Sequence, residues 1–181
     1  TKLLADSLRK FDYVTCTTAL FQDKIRKINP NVEVFENAID PKNPQFKIID
    51  KPSDNVRFGW IGGHCHMADI ALLDGSPQRL KGDFEIRLFG HDGQRGSVYD
   101  KFGYILSGRL ALVKENKFSI HRSQNARAYT GFYNLIDVAL APLVGDTFNS
   151  FKSELKVVEA GFFKKALVVS NVEPYTNIIT D

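Results

Sequence analysis

The chain has 181 residues, enough for one well-filled core or for one domain with part of another. Its 43% hydrophobic and 25% charged residues are those of an ordinary globular protein. A net charge of +3 is too small to argue for a nucleic-acid partner, though it is compatible with weak attraction to anionic lipid headgroups, and no apolar run has the length of a membrane span.

Residues 2–10 carry a helical pattern through Leu3, Leu4 and Leu8. Residues 13–18 are rich in β-branched side chains and predict a strand. A helix through Leu20, Ile25 and Ile28 follows and ends before Asn29-Pro30. Val32-Glu33-Val34-Phe35 predicts a second strand, and Asn37-Ala38-Ile39-Asp40-Pro41 a turn. Three of the seven prolines fall in residues 41–54, among many charges, which is the composition of a linker.

Arg57-Phe58-Gly59-Trp60-Ile61 predicts a strand that leads into Gly62-Gly63-His64-Cys65-His66. Paired glycines after a strand let a ligand approach the backbone closely. The loop has neither a Gly-x-Gly-x-x-Gly fingerprint nor a P-loop lysine. His64, Cys65 and His66 alternate too closely to close a metal site without distant partners. Cys16 and Cys65 lack metal-like spacing and fit free thiols in a reducing cytoplasm.

Residues 67–73 predict a helix with Asp69 in its first turn. Residues 84–89 alternate as a strand, closed by the turn Gly90-His91-Asp92-Gly93. Residues 94–115 are poorly periodic and predict helix interrupted at Gly103 and Gly108. Residues 117–121 predict a further strand, and residues 126–135 a helix whose Tyr129, Phe132 and Tyr133 face the core.

The apolar runs at 137–143 and 166–170 predict short buried strands. Between them Phe151, Leu155, Val158 and Phe162 recur at helical spacing, and Asn149 or Ser150 can cap that helix. Lys152 and Ser153 would then lie in its first turn, and Glu159 about two turns later. Strand–helix alternation from Arg57 onward predicts an α/β, Rossmann-like, doubly wound parallel sheet. Ligands of such sheets lie at the carboxyl ends of the strands, beside helix amino termini that favour phosphate.

Asn149-Ser150-Phe151-Lys152-Ser153-Glu154-Leu155-Lys156, continuing through Val157-Val158-Glu159-Ala160-Gly161 to Ala166-Leu167-Val168-Val169-Ser170, resembles the donor-binding region of retaining GT-B glycosyltransferases. That group includes bacterial polysaccharide and lipopolysaccharide transferases. Gly59-Trp60-Ile61-Gly62 with the following His64 and Asp69 resembles the first glycine loop of the same donor domain. The Thr17-Thr18 strand and the Asn37-Ala38-Ile39-Asp40 turn resemble the end of the amino-terminal domain. Two departures stand out. Phe151 occupies the first place of the family's Glu-x7-Glu pair, and the basic residue usual after the glycines is missing, so that His64 or His66 would supply a donor. A subgroup with Lys-Ser-x-x-Lys is matched by Lys152, Ser153 and Lys156.

The resemblance implies the C-terminal half of a GT-B fold. Residues 1–41 would be the tail of the acceptor-side domain, 42–54 the interdomain linker, and 55–181 a truncated donor domain. The chain would then be a fragment, folded but inactive alone. The implied donor is a nucleotide-diphosphate sugar, and the acceptor a saccharide or a lipid, with peripheral membrane contact compatible. Lys152 is the implied catalytic group, offsetting charge on the leaving diphosphate. Gly62, Gly63, His64, Asn149, Ser153, Lys156 and Glu159 are the implied donor-binding residues, with Glu159 on the ribose hydroxyls. No metal, cofactor or nucleic acid is implied, and the setting is cytoplasmic. A non-enzymatic Rossmann-like nucleotide-binding or regulatory module is the competing expectation. A receiver domain would need an acidic cluster at the first strand's end, which Gly62-Gly63-His64-Cys65-His66 does not supply.

Overall fold

A computed structural model describes residues 2–49 and 51–179, and the chain divides into two compact units. The first takes the chain up to Ala38, together with Gly145–Leu155 and the stretch from Asn171 on. It begins with α1 (Lys2–Leu8), β1 (Val14–Cys16), α2 (Ala19–Arg26) and β2 (Val32–Val34), and β1 and β2 pair in parallel. Thr18 is extended, and its hydroxyl caps α2 by accepting the Phe21 N–H. Cys16, Ile25 and Val32 form the small core of this unit. The Gly145–Leu155 segment packs on it through Phe151, whose ring stacks on Phe21 at 5.4 Å between centroids.

The second unit comprises Ile39–Val144 and Lys156–Ser170. Its elements are β3 (Val56–Ile61), α3 (Met67–Ala71), β4 (Phe84–His91), α4 (Val98–Leu106), α5 (Ala111–Lys114), β5 (Phe118–Arg122), β6 (Val138–Ala141), α6 (Leu155–Phe162, entering from the first unit) and β7 (Ala166–Val169). The strands form one parallel sheet in the order β5-β4-β3-β6-β7. This is the doubly wound arrangement expected from the alternation of strands and helices. The first strand of the unit lies in the middle, and the order reverses between β3 and β6.

Strand residues alternate between two faces. Trp60, Ile86 and Leu88 point to one side, where Ile70 of α3 and Phe102 and Leu106 of α4 cover them. Ile61, Phe89 and Ala139 point to the other, under Phe132, Ile136, Ala160 and Phe163. Gly59 sits beneath Ile136 so closely that a Cβ there would lie 2.3 Å from Ile136 Cγ2. At the amino edge of the sheet the Arg57 guanidinium forks onto Asp137, with Nε to Oδ2 at 2.9 Å and Nη2 to Oδ1 at 2.8 Å.

Three local expectations are corrected. The helix of residues 94–115 is not interrupted at Gly103. Gly103 lies inside α4 against the sheet, where a Cβ would stand 3.4 Å from Ile120 Cδ1, and the break comes at Gly108, Arg109 and Leu110, all with positive φ. Residues 126–135 do not form an α-helix; Tyr129–Leu135 is a 3-10 segment. Side chains anchor it instead: the Thr130 hydroxyl donates to the Gln45 carbonyl, and the Asn134 amide accepts from Ile49 N–H and donates to the Lys47 carbonyl.

The third correction concerns the helix expected from Asn149. Asn149–Phe151 is a single 3-10 turn, Lys152 is extended with ψ 158°, and α6 starts only at Leu155. The Asp146 carboxylate accepts the Asn149 N–H at 2.7 Å, so Asn149 closes a local turn rather than capping α6. Among the described residues no helix is long and apolar enough to cross a membrane.

Candidate functional site

Ligands of open parallel sheets bind past the carboxyl ends of the strands, where the order reverses. In the second unit a cleft of about 360 Å³ opens past the carboxyl ends of β3, β4 and β5, lined by Gly62, Gly63, Gly90, Ser123, Tyr129 and Lys156. Gly62 and Gly63 leave β3, Gly90 stands near the end of β4, and Ser123 follows β5.

The glycine loop is held from beneath. Gly90 has φ +105°, and a Cβ on it would stand 2.3 Å from the Gly62 carbonyl oxygen. Both its torsion and its neighbour therefore require glycine. The Tyr99 hydroxyl, from α4, donates to the same carbonyl at 3.3 Å. A Cβ at Gly63 would meet nothing within 4 Å, so the outer side of the loop is open.

Buried Asp69 ties together the loops that leave β3 and β6. Its Oδ2 faces His66 Nδ1 at 2.7 Å, and its Oδ1 accepts the Val144 N–H at 2.8 Å. His66 also packs edge-on against Trp60. Of the two histidines read as alternative donors, His66 is thus engaged by Asp69, while His64 stands exposed on the loop.

Lys156 projects from the first turn of α6 and lines the cleft. Three residues on, Glu159 is only 1% exposed. The Tyr129 hydroxyl donates to its Oε1, the Tyr133 hydroxyl donates to Oε2 at 2.9 Å, and Lys156 Nζ lies 3.8 Å from Oε2. Burial pushes the Lys156 pKa below that of an ordinary lysine, and the Glu159 charge works against that push. Burial, followed by the bond to Glu159, raises the Tyr129 phenol well above its usual value. Glu159 was expected at a cleft wall and lies in the core instead. The tyrosines satisfy both carboxylate oxygens there, which is what makes its burial affordable.

The remaining expected residues belong to the first unit. Asn149 is buried, bonded to Asp146. Ser153 Oγ accepts from Asn37 Nδ2. Lys152 Nζ lies 5.4 Å from the centroid of the exposed Phe148 ring. The structure thus brings together Gly62, Gly63 and Lys156 around one cleft, with Glu159 beneath Lys156.

Tyr129, Tyr99 and Gly90 were not singled out in the sequence. Tyr129 was read as core because it sits in an aromatic triplet. Tyr99 falls in a stretch without clear periodicity. Gly90 carried the one usable signal, a glycine at the end of an alternating strand. Among the described residues, no group of three or more histidine, cysteine, aspartate or glutamate side chains is placed to hold a metal ion.

No protein-family model matches the chain, and no curated protein matches it. Solved structures do. A glycosyltransferase from Rickettsia africae superposes with TM-score 0.66 at 12% identity, covering 100% of this chain and 51% of its own. Anabaena Alr3699/HepE, solved with UDP and glucose, gives 0.71 at 13% identity over 99% of this chain and 50% of its own. Staphylococcus aureus TarM, solved with fondaparinux, α-GlcNAc-glycerol and UDP, gives 0.61 at 14% identity over 99% of this chain and 34% of its own. The chain therefore shares its fold with solved glycosyltransferases and spans about half the length of the first two.

Proposed function

We propose that the chain is the nucleotide-sugar-binding part of a glycosyltransferase. The observation that carries this reading is the cleft past the carboxyl ends of β3, β4 and β5, with the Gly62-Gly63 backbone on one side and the Lys156 ammonium on another. A diphosphate needs a close backbone and a fixed cation, and the cleft offers both. The shared fold supports the reading, since two of the matched proteins were solved with UDP.

The reaction is transfer of the sugar, with retention, to a hydroxyl of a saccharide or lipid acceptor. The bond from the anomeric carbon to the diphosphate oxygen breaks, a bond to the acceptor oxygen forms, and the hydroxyl proton and a nucleoside diphosphate leave. Lys156 offsets the charge that grows on the leaving diphosphate. A catalytic role for Lys152, and donor-binding roles for Asn149, Ser153 and His64, rest on the sequence resemblance. No metal or cofactor is part of the proposal. A cytoplasmic setting accompanies it, supported by Cys16 and Cys65 being free thiols.

Calorimetric titration of the chain with a panel of nucleoside diphosphates and UDP-glucose tests the proposal. Binding of a nucleoside diphosphate more tightly than its nucleoside is the expected result. Silence across the panel, with binding of a ligand that carries no diphosphate, would overturn it.

A further inference from the structure

Glu159 presents a problem for a ligand-binding carboxylate. It is 1% exposed, and tyrosine hydroxyls bond to both its oxygens. What it faces besides the tyrosines is Lys156, three residues back on the same helix, at 3.8 Å. Lys156, with a third of its side chain exposed, is the member of the cluster that combines a charge with access to the cleft.

We infer that Glu159 is a positioning residue: it holds the Lys156 ammonium in place and charged at the cleft wall. The inference rests on the diphosphate reading of the cleft.

The surroundings of Lys156 support it. The strands contribute Ile61, Ala139 and Leu167, which are apolar. The 3-10 segment contributes Tyr129 and Tyr133, whose hydroxyls donate to Glu159. Glu159 supplies the negative charge from α6 itself. A lysine half sunk among apolar side chains tends to lose its proton, and a carboxylate within about 4 Å opposes that loss. The two tyrosines fix the carboxylate, so the lysine it attracts has a defined place. A diphosphate then meets an ammonium whose ordering cost has already been met by folding.

The test follows the side-chain ammonium of Lys156 by NMR through a pH titration of the whole chain, with Lys156→Met to assign the signal. Glu159→Gln keeps the shape and removes the charge, so Lys156 should lose its proton at lower pH than in the wild type. Tyr133→Phe removes a donor that competes for Oε2, so the transition should move to higher pH. Two shifts of opposite sign are a signature that mere loosening of the fold would not give. If Glu159→Gln does not fold, the Tyr133→Phe shift decides alone.

Parallel titrations with UDP and uridine read the consequence. Glu159→Gln should weaken UDP about tenfold, while uridine is unaffected. An unchanged Lys156 transition in the variants would overturn the inference. So would equal weakening of UDP and uridine by Glu159→Gln, which would put the carboxylate on the ribose. If the wild type bound no nucleoside diphosphate, the functional reading would fail, and the NMR titration would still decide the positioning role.

Discussion

Two ion pairs sit at opposite ends of one sheet and are built differently. At the amino edge, Arg57 meets Asp137 in a forked pair with both bonds under 3 Å, and the Arg57 N–H adds a third bond to Oδ2. At the carboxyl edge, Lys156 stands 3.8 Å from Glu159 and the tyrosines take the carboxylate's hydrogen bonds. The first pair exhausts the charge of its cation. The second leaves an ammonium that is steered but free to bond elsewhere. A closed pair of this kind pins β3 to β6; an open one at a cleft suits a ligand. On the proposed function, binding chemistry belongs to the carboxyl edge and stability to the amino edge.

The largest expected effect breaks the closed pair. Asp137→Ala leaves the 5% exposed Arg57 without its carboxylate and should cost about 3 kcal/mol in urea unfolding. That is the low end of the range for a broken buried pair, because the Asp137 side chain is 40% exposed. The hydrogen bond from Arg57 holds the Asp137 pKa below the ordinary carboxylate value. The pair's contribution is therefore complete above the unfolded pKa of about 4 and is lost as pH falls through the lower folded value. Urea midpoints of Asp137→Ala should accordingly fall less steeply on acidification than those of the wild type.

A smaller effect is expected under the glycine loop. Gly90→Ala pushes a methyl group into the Gly62 carbonyl at a positive φ, and should cost about 1–3 kcal/mol by the same measurement. It should also weaken UDP, because the displaced loop is the one proposed to meet the diphosphate. The smallest effect is expected at His64, exposed on that loop. His64→Ala should change stability by no more than about 0.5 kcal/mol. A loss as large as that of Gly90→Ala would move the weight from the loop backbone to its side chains.

The seven strands among the described residues were legible in the sequence, because β-branched and apolar runs bounded by glycine, proline or polar turns leave little else to form. The doubly wound parallel arrangement followed from strand–helix alternation, while the strand order came from the structure. The block from Asn149 was misread for a specific reason. Phe151 and Leu155 have helical spacing, but Phe151 is held by stacking on Phe21, a contact 130 residues away in sequence, and not by a shared helix face. Local periodicity carries no trace of such a partner. The Gly62-Gly63 pair was legible as a loop after a strand, whereas Lys156 entered only through the resemblance, because the helix expected from Asn149 put Lys152 in its first turn and the actual start at Leu155 puts Lys156 there. Burial of Glu159 was not, since it depends on Tyr129 and Tyr133 arriving from another segment. Nothing in the spacing of those tyrosines separates a donor to a carboxylate from an ordinary core aromatic.

In the proposed site Lys156 is the cation that meets a diphosphate. Calorimetric titration of wild type and Lys156→Met with UDP and with uridine tests it most directly. The substitution should weaken UDP by about 1.5–3 kcal/mol, the range for a charge-assisted hydrogen bond, and leave uridine unchanged. Equal losses for the two ligands, or no loss for UDP, would contradict it.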